Sequence, residues 1–92
     1  MIRSFLCKQT EDLFHSVPSK RFASIERVAR RKLLQLHAVV SLNDLRIPPG
    51  NMLELLKGSR KGQHSIRING QWRICFLWKE DGAYNVEIVD YH

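Results

Sequence analysis

The sequence predicts an α+β fold in which two N-terminal helices pack on a mainly antiparallel β-sheet. In the first half of the chain, apolar residues recur at helical spacing, whereas the second half consists of short β-rich segments separated by turn residues. Helices followed by strands, rather than alternating with them, are typical of a two-layer domain. The 92 residues have room for one hydrophobic core, so we expect a single domain over residues 1–92.

The N-terminal half is expected to contain a short strand and two helices. Residues 2–6 could form the strand, and Thr10, followed by two acidic residues, predicts the start of a brief helix that ends before Pro18. A longer helix is predicted by an apolar stripe formed by Phe22, Ile25, Val28, Ala29, Leu33, Leu36 and Val40. Its other face is basic, with Lys20, Arg27, Arg30 and Arg31. This face is either a solvated surface or a contact for RNA or a partner protein.

Consecutive prolines separate the helical half from the sheet half. Pro48 and Pro49 lack backbone donors and bias the preceding residues toward extended conformations, so residues 47–51 are predicted to form a loop. Residues 53–56 are expected to open the sheet, and a basic turn follows at residues 58–62. Segments rich in β-branched and aromatic residues then predict three more strands, at residues 64–68, 72–78 and 84–89.

The apolar pattern selects the register of the central hairpin. A two-residue Asn-Gly turn would pair Ile66 with Arg73, which mismatches the apolar faces of the two strands. A three-residue loop at residues 69–71 instead opposes Ile66 to Ile74, and its central glycine can take a positive φ. We therefore expect the three-residue loop.

The same register places Arg67 directly opposite Arg73, on the side of the sheet away from the helices. Like charges in this arrangement destabilise a sheet by up to ~1 kcal/mol. Either each guanidinium pairs with a carboxylate, for which Glu54 and Glu87 are candidates, or both bind phosphate in forked geometry. The stretch from Lys57 to Arg73 contains five cations and no acidic residue, which favours the phosphate interpretation.

The overall charge points to a polyanionic partner. The net charge of +6 exceeds what solubility requires of a small domain, so nucleic acid is the favoured class of partner. No apolar run approaches the ~18 residues of a membrane helix, and the first residues do not resemble a signal peptide, so we expect a cytoplasmic protein with no membrane partner. Cys7 and Cys75 lack metal-ligand spacing, so we expect buried thiols and no metal or other cofactor.

The C-terminal residues Asp90, Tyr91 and His92 could supply acid–base chemistry beside the strand that bears Arg73. Cleavage of RNA without a metal needs a base for the 2′-hydroxyl, cations for the phosphate and an acid for the leaving oxygen. An imidazole titrates near neutral pH and can act as acid or base. A terminal histidine can equally be idle, and the residue types alone leave both interpretations open.

Two segments resemble a known family. Residues 62–76, GQHSIRINGQWRICF, and residues 86–92, VEIVDYH, are similar to the HigB toxins of the RelE/ParE superfamily. Residues 46–51 and 1–5 match as well, so the resemblance spans nearly the whole chain. It implies a microbial-ribonuclease-like α+β fold and a ribosome-dependent endoribonuclease that enters the A site and cuts the messenger being translated.

The resemblance also implies the residues of the site, and some relatives carry a histidine where this chain has Glu54. The catalytic set carried over from the family is Lys57, Arg73, Asp90, Tyr91 and His92. In this interpretation Arg73 holds the scissile phosphate, His92 exchanges protons, Tyr91 stacks on or orients a base and Asp90 fixes the imidazole. We expect further RNA contacts from Arg27, Arg30, Arg31, Arg60, Lys61 and Arg67.

The implied partners are a helix-turn-helix antitoxin of the HigA type and the 70S ribosome with its mRNA. Operator DNA is expected to be contacted only through the toxin–antitoxin complex. Two alternatives stay open. One is a non-catalytic, gyrase-poisoning toxin of the ParE kind on the same scaffold, and the other is a basic module that binds RNA without cutting it.

Overall fold

A computed structural model describes residues 1–90, so Tyr91 and His92 lie outside the described residues. Within residues 1–90, two α-helices precede one antiparallel sheet, which confirms the predicted α+β class. The helices are α1 (Lys8–Phe14) and α2 (Glu26–Ala38). The sheet has the order β1-β2-β3-β4 and consists of β1 (Glu54–Leu55), β2 (His64–Arg67), β3 (Trp72–Lys79) and β4 (Gly82–Asp90).

The hydrophobic core lies between the helices and one face of the sheet, which we call the inner face. Ala29, Leu33 and Leu36 of α2 recur at spacings of three and four and are fully buried. They belong to one buried cluster with side chains of the sheet, among them Ile66, Ile74, Phe76, Val86 and Ile88. Val40 was expected to extend the apolar stripe, but α2 ends at Ala38 and Val40 is 90% exposed.

The first helix begins earlier than predicted. It starts at Lys8, so the expectation that Thr10 begins it is wrong. Thr10 is fully buried inside the helix, and its hydroxyl accepts a hydrogen bond of 3.1 Å from the backbone N–H of Ile88. This hydrogen bond to β4 holds the Thr10 side chain in the core, so the tertiary contact determines where Thr10 lies.

The N-terminal residues add parallel contacts to the antiparallel sheet. Ile2 and Phe5 form isolated parallel bridges with Ala83 and Val86 of β4, in place of the strand expected at residues 2–6. The backbone N–H of Arg3 donates to the Ala83 carbonyl at 2.7 Å. Within residues 1–90, no helix combines the length and the apolar character needed to cross a bilayer.

The register predicted for the β2–β3 hairpin is confirmed. Ile66 pairs with Ile74, and Arg67 pairs with Arg73. The expected positive φ at the loop glycine is wrong, because Gly70 keeps an ordinary φ. The loop is closed instead by the Asn69 side chain. Its oxygen accepts hydrogen bonds from the backbone N–H groups of Gln71 at 2.8 Å and Trp72 at 2.9 Å.

Gly82, at the start of β4, provides a test of the packing between the N-terminus and the sheet. A Cβ at this position would lie 2.0 Å from the Met1 carbonyl oxygen, and the φ of +137° is strained for any L residue. We expect Gly82→Ala to lower the free energy of unfolding by about 2 kcal/mol or more in urea denaturation. Gly50→Ala is the matched control, because nothing lies within 4 Å of that Cβ. Equal urea midpoints for the two variants would contradict this packing.

Candidate active site

The outer face of the sheet, away from the helices, carries a row of polar side chains. Neighbouring residues of a strand alternate between faces, and Arg73 and Cys75 flank the inward-facing Ile74. Cys75 pairs with Ser65 on one side and with Glu87 on the other. This row is therefore polar but largely covered, since Ser65, Cys75 and Arg73 are buried and Glu87 is half-buried.

Arg73 is anchored within this face and is only 6% exposed. Its Nε donates to Ser65 Oγ at 2.8 Å, and its Nη2 donates to the Met52 carbonyl at 2.7 Å. Glu54 Oε1 lies 4.0 Å from Nη2. Arg73 is therefore far less exposed than Arg67, and because a buried guanidinium needs acceptors, the strand and the loop provide them.

Arg67 is exposed, and together with Arg73 it lines a shallow concavity. The opposed pair predicted from the register is present, and Arg67 Nη1 lies 3.6 Å from the Met52 sulfur. The concavity has a volume of about 200 Å³, and Met52, Asn69 and Gly70 complete its lining. Two guanidinium groups in one concavity suit a phosphate, which arginine binds in forked geometry.

Lys57 lines a second concavity that adjoins the first. This space, of about 380 Å³, lies along β1 and the turn after it, and Glu54 and Arg60 also line it. The Glu54 carboxylate, which lines this second concavity, lies 4.0 Å from Nη2 of Arg73, which lines the first. The structure thus places Lys57, whose side chain is exposed, on the same side of the molecule as Arg73.

The basic turn after β1 is held to the sheet by an ion pair. Arg60 Nη1 donates to Glu87 Oε1 at 2.7 Å and to the Gln63 side chain at 3.1 Å. The hydrogen bond that Arg60 donates to Glu87 raises the pKa of Arg60. Arg60, expected to contact RNA, thus has a carboxylate partner that balances its charge, whereas Lys61 is exposed.

Asp90 and Arg73 lie on opposite faces of the sheet. Asp90 pairs with Trp72, whereas Arg73 pairs with the preceding residue of β4. The Asp90 carboxylate accepts a hydrogen bond of 3.1 Å from the Gln71 amide. The structure therefore does not bring this carboxylate to Arg73, and the other two terminal candidates, Tyr91 and His92, lie outside the described residues.

The basic side chains of α2 lie on the other layer of the molecule, far from the outer face of the sheet. Arg27 and Arg31 are exposed and line a groove of about 450 Å³ with Leu34. Arg30 is different, because its Nε donates to the Leu13 carbonyl at 3.0 Å and its Nη2 to Glu26 at 2.9 Å. Arg30 lines the same groove and also joins α1 to α2, and the RNA contacts expected of these three arginines stay a prediction.

Sequence reasoning missed Ser65 and Met52, which anchor Arg73. The confirmed register puts Ser65 on the outer face, diagonal to Arg73, so the hairpin pattern contained a signal for it. Met52 contributes a backbone carbonyl, for which a sequence offers no side-chain signal. Within residues 1–90, the His, Cys, Asp and Glu side chains form no cluster of three or more that could hold a metal ion.

The comparisons with known proteins agree with one another. The family model for the RelE-like toxin of type II toxin-antitoxin system HigB matches residues 5–92. Toxin HigB-1 of Vibrio cholerae serotype O1 is 49% identical over 63 residues, which are 68% of this chain and 66% of that protein. An uncharacterized protein of Haemophilus influenzae is 35% identical over 85% of this chain and 73% of its own length. The chain thus matches just under two thirds of the Vibrio cholerae protein.

Solved structures share the fold. The YoeB-YefM complex from Staphylococcus aureus contains a chain that matches with a TM-score of 0.56 at 18% identity, covering 100% of this chain and 98% of that one. A heterotetrameric YoeB-YefM toxin-antitoxin complex from the same species matches with a TM-score of 0.57. At this identity the likeness shows a common architecture alone.

The Arg60–Glu87 ion pair can be tested through the thiol of Cys75. Cys75 is fully buried, and burial raises the pKa of its thiol. In a Cys7→Ser background, we expect modification by a disulfide reagent at pH 8 to be at least ~10²-fold slower in the folded protein than in urea. Glu87→Gln should speed the reaction of the folded protein several-fold, because it removes the charge that holds the basic turn down. The control is Glu80→Gln, at an exposed position; equal rates in the two variants would show that the ion pair does not cover the thiol.

Proposed function

Because the chain belongs to the HigB-like family of RelE-like toxins of type II toxin-antitoxin systems, we propose that it is an endoribonuclease that cleaves messenger RNA on the translating ribosome. The observation that supports this activity best is the anchored guanidinium of Arg73 beside the exposed guanidinium of Arg67. A metal-free ribonuclease must stabilise negative charge on a phosphate, and fixed cations do so without reorganising during the reaction.

In the proposed reaction, the 2′-oxygen of the messenger attacks the adjacent phosphorus and the bond to the 5′-oxygen breaks. Arg73 binds the phosphate oxygens, and Arg67 and Lys57 add positive charge around the same linkage. The proton of the 2′-hydroxyl passes to a base, and a proton passes from an acid to the leaving 5′-oxygen. We assign one of these transfers to His92 and base stacking to Tyr91. The proposed role of Asp90 is to orient the imidazole, and no metal or cofactor takes part.

The proposed partners are the 70S ribosome with its messenger and a helix-turn-helix antitoxin of the HigA type. Support for an antitoxin comes from the family and from the Staphylococcus aureus toxins of the same fold, whose structures are toxin-antitoxin complexes. We propose that operator DNA is contacted only through such a complex. The exposed arginines of α2 lie on the opposite layer from Arg73, which suits contact with a second macromolecule such as ribosomal RNA.

Substitution of Arg73 tests the activity directly. On ribosomes programmed with a defined messenger, the parent chain should produce new 5′ ends within the A-site codon. Arg73→Ala should lower the cleavage rate by at least ~10²-fold, a typical loss for one donor to a developing oxyanion. Arg73→Lys should also fail to restore the rate, because an ammonium cannot reproduce the two anchored N–H groups.

Lys79→Gln is the matched control for this experiment, because it removes one positive charge from the other end of the same strand. It should cut at the parent rate. Intact messenger with the parent chain, together with inhibition of gyrase, would replace the proposal by the non-catalytic toxin. If the chain bound RNA in a salt-sensitive manner but produced no new 5′ ends, the proposal would be replaced by that of a module that binds RNA without cutting it.

The role of α2 is tested by charge reversal at its exposed arginines. Arg27→Glu combined with Arg31→Glu should weaken binding to ribosomes by at least about tenfold at low salt and reduce the salt dependence of binding, because contacts to RNA phosphates release counterions. Arg30 is left intact because it joins the two helices. The control is Lys8→Glu combined with Lys79→Glu, which changes the net charge equally. Unchanged affinity of the α2 variant would remove this surface from the proposal.

A further inference from the structure

The segment that leads into β1 contains a strained residue whose side chain does not explain the strain. Met52 has φ 46° and ψ 54°, a left-handed conformation that costs a non-glycine residue about 1 kcal/mol or more. Its side chain is 53% exposed, so packing of the side chain is not what holds the backbone there. Such strain persists where the surrounding structure fixes the backbone, and it is concentrated at functional sites.

The preceding residue, Asn51, fixes this backbone to the helical layer. Asn51 is fully buried, and its amide nitrogen donates to Gln35 Oε1 at 3.0 Å and to the Leu45 carbonyl at 3.1 Å. Its side-chain oxygen accepts a hydrogen bond from Lys32. A buried amide whose oxygen and nitrogen are both hydrogen-bonded has one orientation. The position of Met52 is therefore set by a hydrogen-bond network that includes Lys32 and Gln35 of α2.

The strained conformation has one consequence on the outer face of the sheet. It turns the Met52 carbonyl toward Arg73, whose Nη2 donates to it at 2.7 Å. The second anchor, Ser65 Oγ, accepts from Nε at 2.8 Å. Two acceptors at separate nitrogens determine the plane of the guanidinium. Two further contacts of Nη2 are longer and less directional, one with the Ser65 carbonyl at 3.5 Å and one with Glu54 at 4.0 Å.

We propose that Met52 is a positioning residue: its left-handed backbone, held in place by Asn51, sets the orientation in which Arg73 meets the scissile phosphate. This inference rests on the proposed function. Misplacing a catalytic group by about 1 Å can lower a rate by ~10²-fold, so Met52 controls the rate through its carbonyl. What matters at this position is the backbone conformation, and the methionine side chain is secondary.

Substitutions chosen for their backbone preference test the proposal. Glycine and asparagine adopt the left-handed region readily, whereas the β-branched valine and isoleucine do not. On programmed ribosomes, Met52→Gly and Met52→Asn should keep kcat within about threefold of the parent, and Met52→Val and Met52→Ile should lower it at least ~30-fold with little change in KM. All variants are compared at a temperature at which circular dichroism shows each to be folded. Equal kcat for Met52→Gly and Met52→Val would overturn the proposal.

Double substitutions test whether Met52 affects the cleavage rate through Arg73. In an Arg73→Lys background, the carbonyl no longer orients a guanidinium, so Met52→Val and Met52→Gly should differ by less than about twofold in residual rate. A general structural role for Met52 would keep the full difference in this background and would contradict the assigned route.

A measurement that does not depend on cleavage separates this proposal from the proposed function. In ¹⁵N NMR spectra, the Nη2–H protons of Arg73, one of which is donated to the Met52 carbonyl, should exchange slowly with water in the parent chain and in Met52→Gly, and at least ~10-fold faster in Met52→Val. If the parent leaves messenger intact, the ribonuclease proposal fails while the exchange rates still test the positioning. If the parent cuts and the exchange rates of the two variants are equal, the positioning alone is overturned.

Discussion

A permanent positive charge buried in the sheet is the constraint around which the site is arranged. The guanidinium of Arg73 is charged and buried, so its desolvation has to be offset by acceptors placed at its N–H groups. Removing one partner of a buried charged group typically costs 3–5 kcal/mol. Ser65 and the Met52 carbonyl supply acceptors at 2.8 and 2.7 Å. The site therefore forms only when β2 and the turn that leads into β1 have both taken their places beside Arg73.

The same constraint explains how two arginines can lie opposite each other across β2 and β3. Arg73 is bonded within the face, whereas Arg67 is exposed and its repulsion is screened by water. The two arginines therefore have different roles. Arg73 is preorganised for one geometry, and Arg67 can adapt to whatever lies in the concavity. A phosphate that enters this space meets one fixed and one mobile guanidinium, which suits electrostatic stabilisation with little reorganisation.

Much of the fold was predictable, because it depends on local patterns. The apolar stripe of α2 and the Ile66–Ile74 pairing follow from periods of 3.6 and 2, and a slip of one residue would expose a whole apolar face. The features that these local patterns did not predict are contacts between distant segments. Thr10 lies inside α1 because its hydroxyl accepts a hydrogen bond from β4. Arg30 joins two helices through its hydrogen bond to the Leu13 carbonyl. No local period contains that information.

The candidate site was predictable in part for the same reason. The register placed Arg67 and Arg73 together, but the burial of Arg73 depends on a backbone carbonyl from a turn that follows two prolines. Strand alternation alone would have assigned Asp90 to the face opposite Arg73, since its neighbour in β4 is the residue paired with Arg73. The resemblance to the family named the candidate residues, and the structure shows that Arg67 and Arg73 line one concavity whereas Asp90 lies on the opposite face of the sheet.

The most direct measurement is a structure of the protein on a ribosome programmed with messenger that carries a 2′-O-methyl group at the A-site codon, which blocks attack by that oxygen. We expect a phosphate oxygen of the blocked linkage to lie within about 3 Å of an Arg73 guanidinium nitrogen, the distance of a charge-assisted hydrogen bond. A messenger bound elsewhere, with more than about 8 Å of water between Arg73 and every phosphate and hence no contact within one screening length, would contradict the account.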